Sequence, residues 1–147
     1  MKLSTKGRYA VRAMLDLAQH YGEGLVLIKD IAQRQEVSER YLEHLFLTLK
    51  AAGLVNSVRG ARGGFQLTRP PSEVRLIDIV RACEGQLSVV ECVSNPKSCR
   101  RSTRCATRDI WVELQTAMDG VLESTTLQDL VERQQRKEQV NSAMYNI

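Results

Sequence analysis

Residues 38 to 67, SERYLEHLFLTLKAAGLVNSVRGARGGFQL, constrain the fold more than any other stretch. Ser38 offers a side-chain oxygen to cap a helix, and Glu39 in the first turn suits the positive end of the helix dipole. Leu42, Leu45, Phe46 and Leu49 recur at helical spacing and make one apolar stripe. Lys50 lies near the C-terminal end, and Gly53 stands where a helix-ending glycine belongs. The pattern then changes. Leu54, Val55 and Val58, then Phe65 and Leu67, are strand-forming residues on either side of RGARGG. Glycines at 60, 63 and 64 permit the positive φ values that a hairpin turn demands. The stretch is a capped helix running directly into a two-stranded hairpin.

The flanking residues complete the plan. Upstream, Ile28, Ile31 and Ala32 predict a short helix, broken at RQEV before Ser38. A short helix, a tight break and a second capped helix make a helix-turn-helix. Before it, Tyr9, Ala10, Ala13, Met14, Leu17, Ala18 and Tyr21 predict a first helix, capped by Ser4 or Thr5 and ended by Gly22 and Gly24. Downstream, Arg69-Pro70-Pro71-Ser72 is a break, because a proline pair neither continues a strand nor sits inside a helix. EVRLIDIVRACEG reads as a short helix. Residues 108–123 read as a long one with Ile110, Leu114, Ala117, Met118, Val121 and Leu122 on one face. A break at Ser124-Thr125-Thr126 leads to a short final helix and a polar tail. The predicted fold class is mainly α with a small β-hairpin. The predicted organisation is a winged helix over residues 1–71, a loop and dimerisation helix over 72–130, and a poorly ordered tail over 131–147.

Charge points to the kind of partner. The chain carries a net +4, but residues 1–69 hold eleven Lys and Arg against six Asp and Glu, while residues 70–147 hold ten against eleven. A basic first half suggests an anionic partner, most simply nucleic acid. A helix-turn-helix followed by a hairpin is the winged-helix arrangement, whose second helix fits the major groove of double-stranded DNA. Its candidate contacts are Ser38, Arg40, Tyr41, Glu43 and His44. Arg59 and Arg62 at the hairpin tip would enter a minor groove or grip phosphates. Glu43 is the odd member. A carboxylate facing DNA repels phosphate and finds a useful donor only in cytosine N4, so it either rejects sites or merely solvates its face. The RGARGG stretch lacks the pattern and setting of a nucleotide phosphate loop.

The cysteines raise a separate question. Three of the four lie in ECVSNPKSCRRSTRCATRD, as Cys92-x6-Cys99-x5-Cys105. No apolar stretch approaches the ~20 residues that span a bilayer, and the N-terminus reads as an amphipathic helix. A cytoplasmic location with reduced thiols is therefore expected. Clustered cysteines in that setting favour metal or redox chemistry over structural disulfides. Structural zinc sites prefer closely spaced pairs and four ligands, which gaps of six and five match poorly. Lys97, Arg100, Arg101, Arg104 and Arg108 surround the thiols, with no acid between Cys92 and Arg108. That field lowers thiol pKa values and favours an anionic thiolate assembly. The same residues also fit an ordinary basic loop that touches DNA. Cys83, beside Val80 on an apolar helical pattern, reads as a small buried hydrophobe. His20 and His44 fall inside helical patterns far from the cysteines, and no acid–base or nucleophile constellation stands out, so no enzyme activity is expected.

MKLSTKGRYAVRAMLDLA, VSERYLEHLFLTLKAAGLVNSVRGARGGFQLTRP and the loop Cys92, Cys99, Cys105 together resemble the IscR/NsrR-type family of bacterial transcription regulators, closest to the IscR branch. The likeness covers residues 1–130 in order. It implies a homodimer joined through the helix after the cysteines, a palindrome-like operator, and a [2Fe–2S] cluster held by Cys92, Cys99 and Cys105 as metal ligands. It implies a repressor of cluster-assembly genes when the cluster is loaded. The alternative is a cluster-free thiol switch responding to oxidant or nitric oxide. The resemblance also implies a fourth ligand, a histidine three residues after the last cysteine or a carboxylate on the partner's first helix. Here those places are Arg108 and Arg8, neither of which has a lone pair to offer. Asp109, Glu91, Thr107 or water remain as fourth ligands.

Overall fold

The computed structural model describes residues 2–145. Helix α1 (Thr5–Gln19) is capped by Ser4, whose hydroxyl accepts from Gly7 N–H. Tyr21 falls beyond its C-terminal cap and is exposed, so the apolar run predicted to Tyr21 ends one turn early. Helices α2 (Ile28–Gln35) and α3 (Glu39–Ala51) form the helix-turn-helix. Between them Glu36 adopts the left-handed conformation, with φ of 55°. Ser38 caps α3 by accepting from Tyr41 N–H at 3.1 Å.

The end of α3 sets up the hairpin. Gly53 has φ of 76°, its N–H reaches Lys50 O at 2.9 Å, and Leu54 N–H reaches Leu49 O at 3.0 Å. This is the paired bonding of a Schellman close, which reverses the chain into β1 (Val55–Val58). Strand β1 pairs antiparallel with β2 (Gly64–Leu67), with Val55 opposite Leu67 and Val58 opposite Gly64. Val26 makes an isolated bridge to β2 by exchanging two 2.8 Å backbone bonds with Phe65. A Cβ at Gly64 would stand 2.5 Å from Val26 O, so this approach needs glycine. The Phe65 ring stacks on Phe46 with centroids 4.4 Å apart, fastening the wing to α3.

Pro71 opens a one-turn 3₁₀ segment, Pro71–Glu73, where its missing N–H costs nothing. Helix α4 (Leu76–Glu84) follows, then the short α5 (Glu91–Ser94), a 3₁₀ turn at Pro96–Ser98, and α6 (Ala106–Ser124). Helix α7 runs from Leu127 to Tyr145, with Thr126 and Asp129 capping each other's backbone. The final helix is therefore long, where a short one and a polar tail were predicted. Residues 131–145 contain no glycine or proline to stop it. Asn146 and Ile147, the end of that predicted tail, lie outside the described residues. Of these later elements, α4 and α7 pack on α1, while α6 packs on α4 and α5. One core joins Ala10, Ala13, Met14 and Leu17 of α1 to Leu42, Leu45, Phe46 and Leu49 of α3, Ile79 of α4, and Leu127 and Val131 of α7. Residues on both sides of position 71 share it.

One buried charge holds the helix-turn-helix in place. Asp16 of α1 is 1% exposed and accepts from Arg34 Nε at 2.9 Å, Arg34 Nη2 at 2.8 Å and Gln35 Nε2 at 3.0 Å. A buried carboxylate persists only with such partners. Both come from α2, so the ion pair sets where α2 sits on α1. Arg12 of α1 reaches the same helix end, donating to Gln35 O at 2.8 Å. Asp16→Ala should lower stability by about 2 kcal/mol, the scale for hydrogen bonds to a charged group, as read by urea denaturation.

Candidate nucleic-acid interface and thiol site

The outward face of α3 presents Arg40, Glu43, His44, Leu47 and Lys50 to solvent, because its opposite stripe is fully buried. Ser38 is exposed at its N-terminus. Tyr41 is half-buried, its ring meeting that of Tyr9 edge-on at 5.9 Å, so it is the most constrained of the predicted contacts. Arg59 and Arg62 project from the five-residue tip between the strands and are exposed. Glu43, Leu47, Lys50, Ser57 and Arg59 line one groove between α3 and the wing. Lys50 Nζ donates to Ser57 Oγ at 2.6 Å across it. The structure thus gathers Glu43 and Arg59 on one surface and leaves Arg62 further along the tip.

Two members of this surface escaped the sequence reading. Leu47 is 65% exposed. Its position three residues from His44 and four from Glu43 is the signal that could have found it. An apolar side chain there suits a thymine methyl group. Ser57 on β1 carried no signal, because its part depends on where the strand meets Lys50.

The cysteine loop is more structured than predicted. Cys92 lies in α5, Cys105 is the N-cap residue of α6, and Cys99 is exposed between them. Arg108 joins the two ends by donating from Nε to Cys92 O at 3.1 Å. Among the described residues, no group of three or more His, Cys, Asp and Glu side chains is close enough together to hold a metal ion. The three thiols therefore share a loop without converging. Their chemistry still suits a thiolate-ligated group. The Thr107 hydroxyl, 3.1 Å from Cys105 Sγ, holds that thiol below its ordinary range, helped by the Arg108 and Thr107 backbone and the charge of Arg101. Cys83 is the opposite case, since burial pushes its thiol up. Thr107, predicted as one possible fourth ligand, is engaged by Cys105. Glu91 and Asp109 are exposed near the two ends of the loop.

Helix α6 carries the long apolar face that the sequence predicted, and much of that face is uncovered, Met118 and Leu122 being half-buried. Ile110 is 54% and Val121 63% exposed, with Trp111 and Leu114 also open. Its one buried side chain is polar. Gln115 accepts from Val89 N–H at 2.8 Å and donates to Leu87 O at 3.0 Å, binding the segment before α5 to α6.

A helix-turn-helix with a wing, and an open groove between them that exposes an arginine and a lysine, defines a DNA-binding transcription regulator. Residues 3–133 match the Rrf2 family, described as iron-dependent transcriptional regulators, and the chain belongs to that family. It is 44% identical over 130 residues to the HTH-type regulator CymR of Bacillus subtilis, covering 88% of this chain and 89% of that protein. It is 41% identical over 135 residues to the regulator IscR of Photorhabdus laumondii, covering 92% and 82%. Among solved structures, CymR, the global cysteine regulator of B. subtilis, superposes with a TM-score of 0.79 at 42% identity, over 90% of this chain and 98% of that one. The IscR of T. potens superposes with a TM-score of 0.73 at 44% identity, over 90% and 88%. The expected fold class is borne out: the chain is mostly helical with one two-stranded hairpin, as in these regulators. Its relatives regulate transcription, so the chain is a regulator and not an enzyme. No described helix is long and apolar enough to cross a membrane.

The thiol arrangement makes a pH-dependent prediction for the metal-free protein. Only the thiolate attacks iodoacetamide. Cys105, with its lowered pKa, should reach half-maximal labelling at a lower pH than Cys83. Thr107→Val should move the Cys105 midpoint upward, toward the ordinary thiol value. Site-resolved mass spectrometry across a pH series reads both.

Proposed function

We propose that the protein is a homodimeric repressor whose DNA affinity is set by an iron–sulfur cluster on Cys92, Cys99 and Cys105. The carrying observation is the loop itself. It holds three thiols in an acid-free cationic stretch, with one thiol held low in pKa at the start of α6. The cluster supplies a labile, anionic centre whose presence reports iron and redox status. This chain's residues supply three thiolates and the positive field around them. Loading would require the loop to draw Cys92 and Cys105 toward the exposed Cys99. Arg108 stands where the family's histidine is expected, and its guanidinium is committed to Cys92 O. The fourth position then falls to Glu91, Asp109 or water, and the cluster is expected to be [2Fe–2S].

The uncovered apolar face of α6 supports pairing of two chains through that helix. Two recognition helices would then meet half-sites about 34 Å apart on a palindrome-like operator in the cytoplasm. Ser38, Arg40 and Tyr41 would contact phosphates or base edges near the start of α3. Glu43 and His44 would select among sequences, and Arg59 and Arg62 would hold the backbone or minor groove. Cluster-assembly genes would be repressed when clusters are plentiful.

A second reading is favoured by the dispersed thiols and by the similarity to a cysteine regulator. In it the loop works without metal, as a thiolate switch centred on Cys105. Anaerobic reconstitution with iron and sulfide, followed by visible absorption, separates the two. A coloured wild type and a colourless Cys92→Ala/Cys99→Ala/Cys105→Ala variant support the cluster. A colourless wild type sinks it and leaves the switch. For the DNA surface, Arg59→Ala should weaken binding at most sequences. It should also reduce the slope of log affinity against log salt by about 1, as loss of one phosphate contact does.

A further inference from the structure

The C-terminal end of α4 is tied to the N-terminal end of α1 by one carboxylate. Glu84 Oε1 accepts from Ser4 N–H at 3.1 Å and also from the Ser4 hydroxyl. The same hydroxyl oxygen accepts from Gly7 N–H at 3.1 Å. The carboxylate therefore sits on the positive end of a 15-residue helix, where a negative charge is favoured. Gly7 makes the space. A Cβ there would lie 2.5 Å from Glu84 Oε1, and the three nearest atoms it would meet all belong to Glu84. Glycine is among the poorest helix formers, and at the third position of α1 local preference does not account for it. The approach of Glu84 does.

Both ends of this contact lead to surfaces already described. Beyond Glu84, Gly85 turns the chain with φ of 73° into the segment that Gln115 of α6 holds at Leu87 and Val89. Helix α5 with Cys92 follows directly. Beyond Ser4, α1 carries Tyr9, whose ring meets Tyr41 in the first turn of α3. One contiguous path from thiol loop to recognition helix thus runs through this hydrogen-bonded carboxylate, beside the direct packing of α4 on α1 and α3.

We infer that Glu84 is a positioning residue that couples the loop of residues 92–105 to the recognition helix, with Ser4 and Gly7 as its seat. This rests on the reading of that loop as the sensor. A loop that closes or opens shifts the end of α4. Glu84 then leaves or regains the first turn of α1, and Tyr9 moves against Tyr41. Coupling of this kind is reciprocal, so DNA seated on α3 changes the loop as well.

The test uses that reciprocity in the full-length protein. The probe is a duplex selected from a random-sequence library by the metal-free wild type. Alkylation rates of Cys99 and Cys105 are measured with and without saturating duplex in wild type, Glu84→Gln and Gly7→Ala. The duplex should change the wild-type rate about fivefold or more, and the rate in both variants by less than about twofold. Gly7→Ala keeps the test clear of misfolding, because alanine favours the helix and displaces only the end of a flexible side chain. Thermal melting of the free protein checks that it folds. An equal duplex effect in all three chains, as simple shielding of the loop by DNA would give, overturns the coupling. So does a wild type whose alkylation ignores the duplex, or a variant that folds but no longer binds it. Cluster uptake is not read in this assay. A chain that stays colourless on reconstitution refutes the cluster reading and leaves these rate ratios standing.

Discussion

Helix α1 buries Ala10, Ala13, Met14 and Leu17 against the recognition helix, α4 and α7 together, and the other elements take their places from that surface. The two alanines are fully buried, so neighbouring backbones come close there and a larger residue would drive them apart. Strand β2 rests against the same helix. The wing, the recognition helix and α4, which leads toward the cysteine loop, therefore share one support.

Charge is used in two ways on this scaffold. Asp16 is buried and positions α2 through Arg34, which is possible because the guanidinium matches the carboxylate with two parallel bonds while part of it stays in water. In the groove and the cysteine loop the charges are mostly exposed and set the field. The groove beside α3 combines Lys50 and Arg59 with the single carboxylate of Glu43. The cysteine loop carries five cations and no acid between its first thiol and Arg108. The same kind of field that attracts a polyphosphate backbone stabilises thiolates.

Much of the architecture was legible from local chemistry. Ser38 and Gly53 bounded α3 because caps depend on residues adjacent in sequence. The hairpin was legible because its glycines and strand formers are contiguous. What escaped was non-local. Asp16 carries no local signal, since nothing near it in sequence shows that Arg34 and Gln35 fold over it. Leu47 belongs to neither the predicted apolar stripe nor the predicted contacts, because an apolar side chain on the outward face carries no polar signal for DNA. The length of α7 is not legible locally, because a polar stretch without helix breakers fits a helix and a tail equally.

By itself, the sequence determined a capped helix pair, a glycine-turned wing, a basic half and a loop of three thiols. These are set by side-chain chemistry within a few residues. Only the tertiary structure decided that Arg108 holds Cys92 by its carbonyl, that the three thiols stand apart, and that Glu84 reaches the first turn of α1 over Gly7. Those contacts join residues 16 to 80 positions apart, and their distances follow from how α1, α4 and α6 pack. No local pattern encodes them.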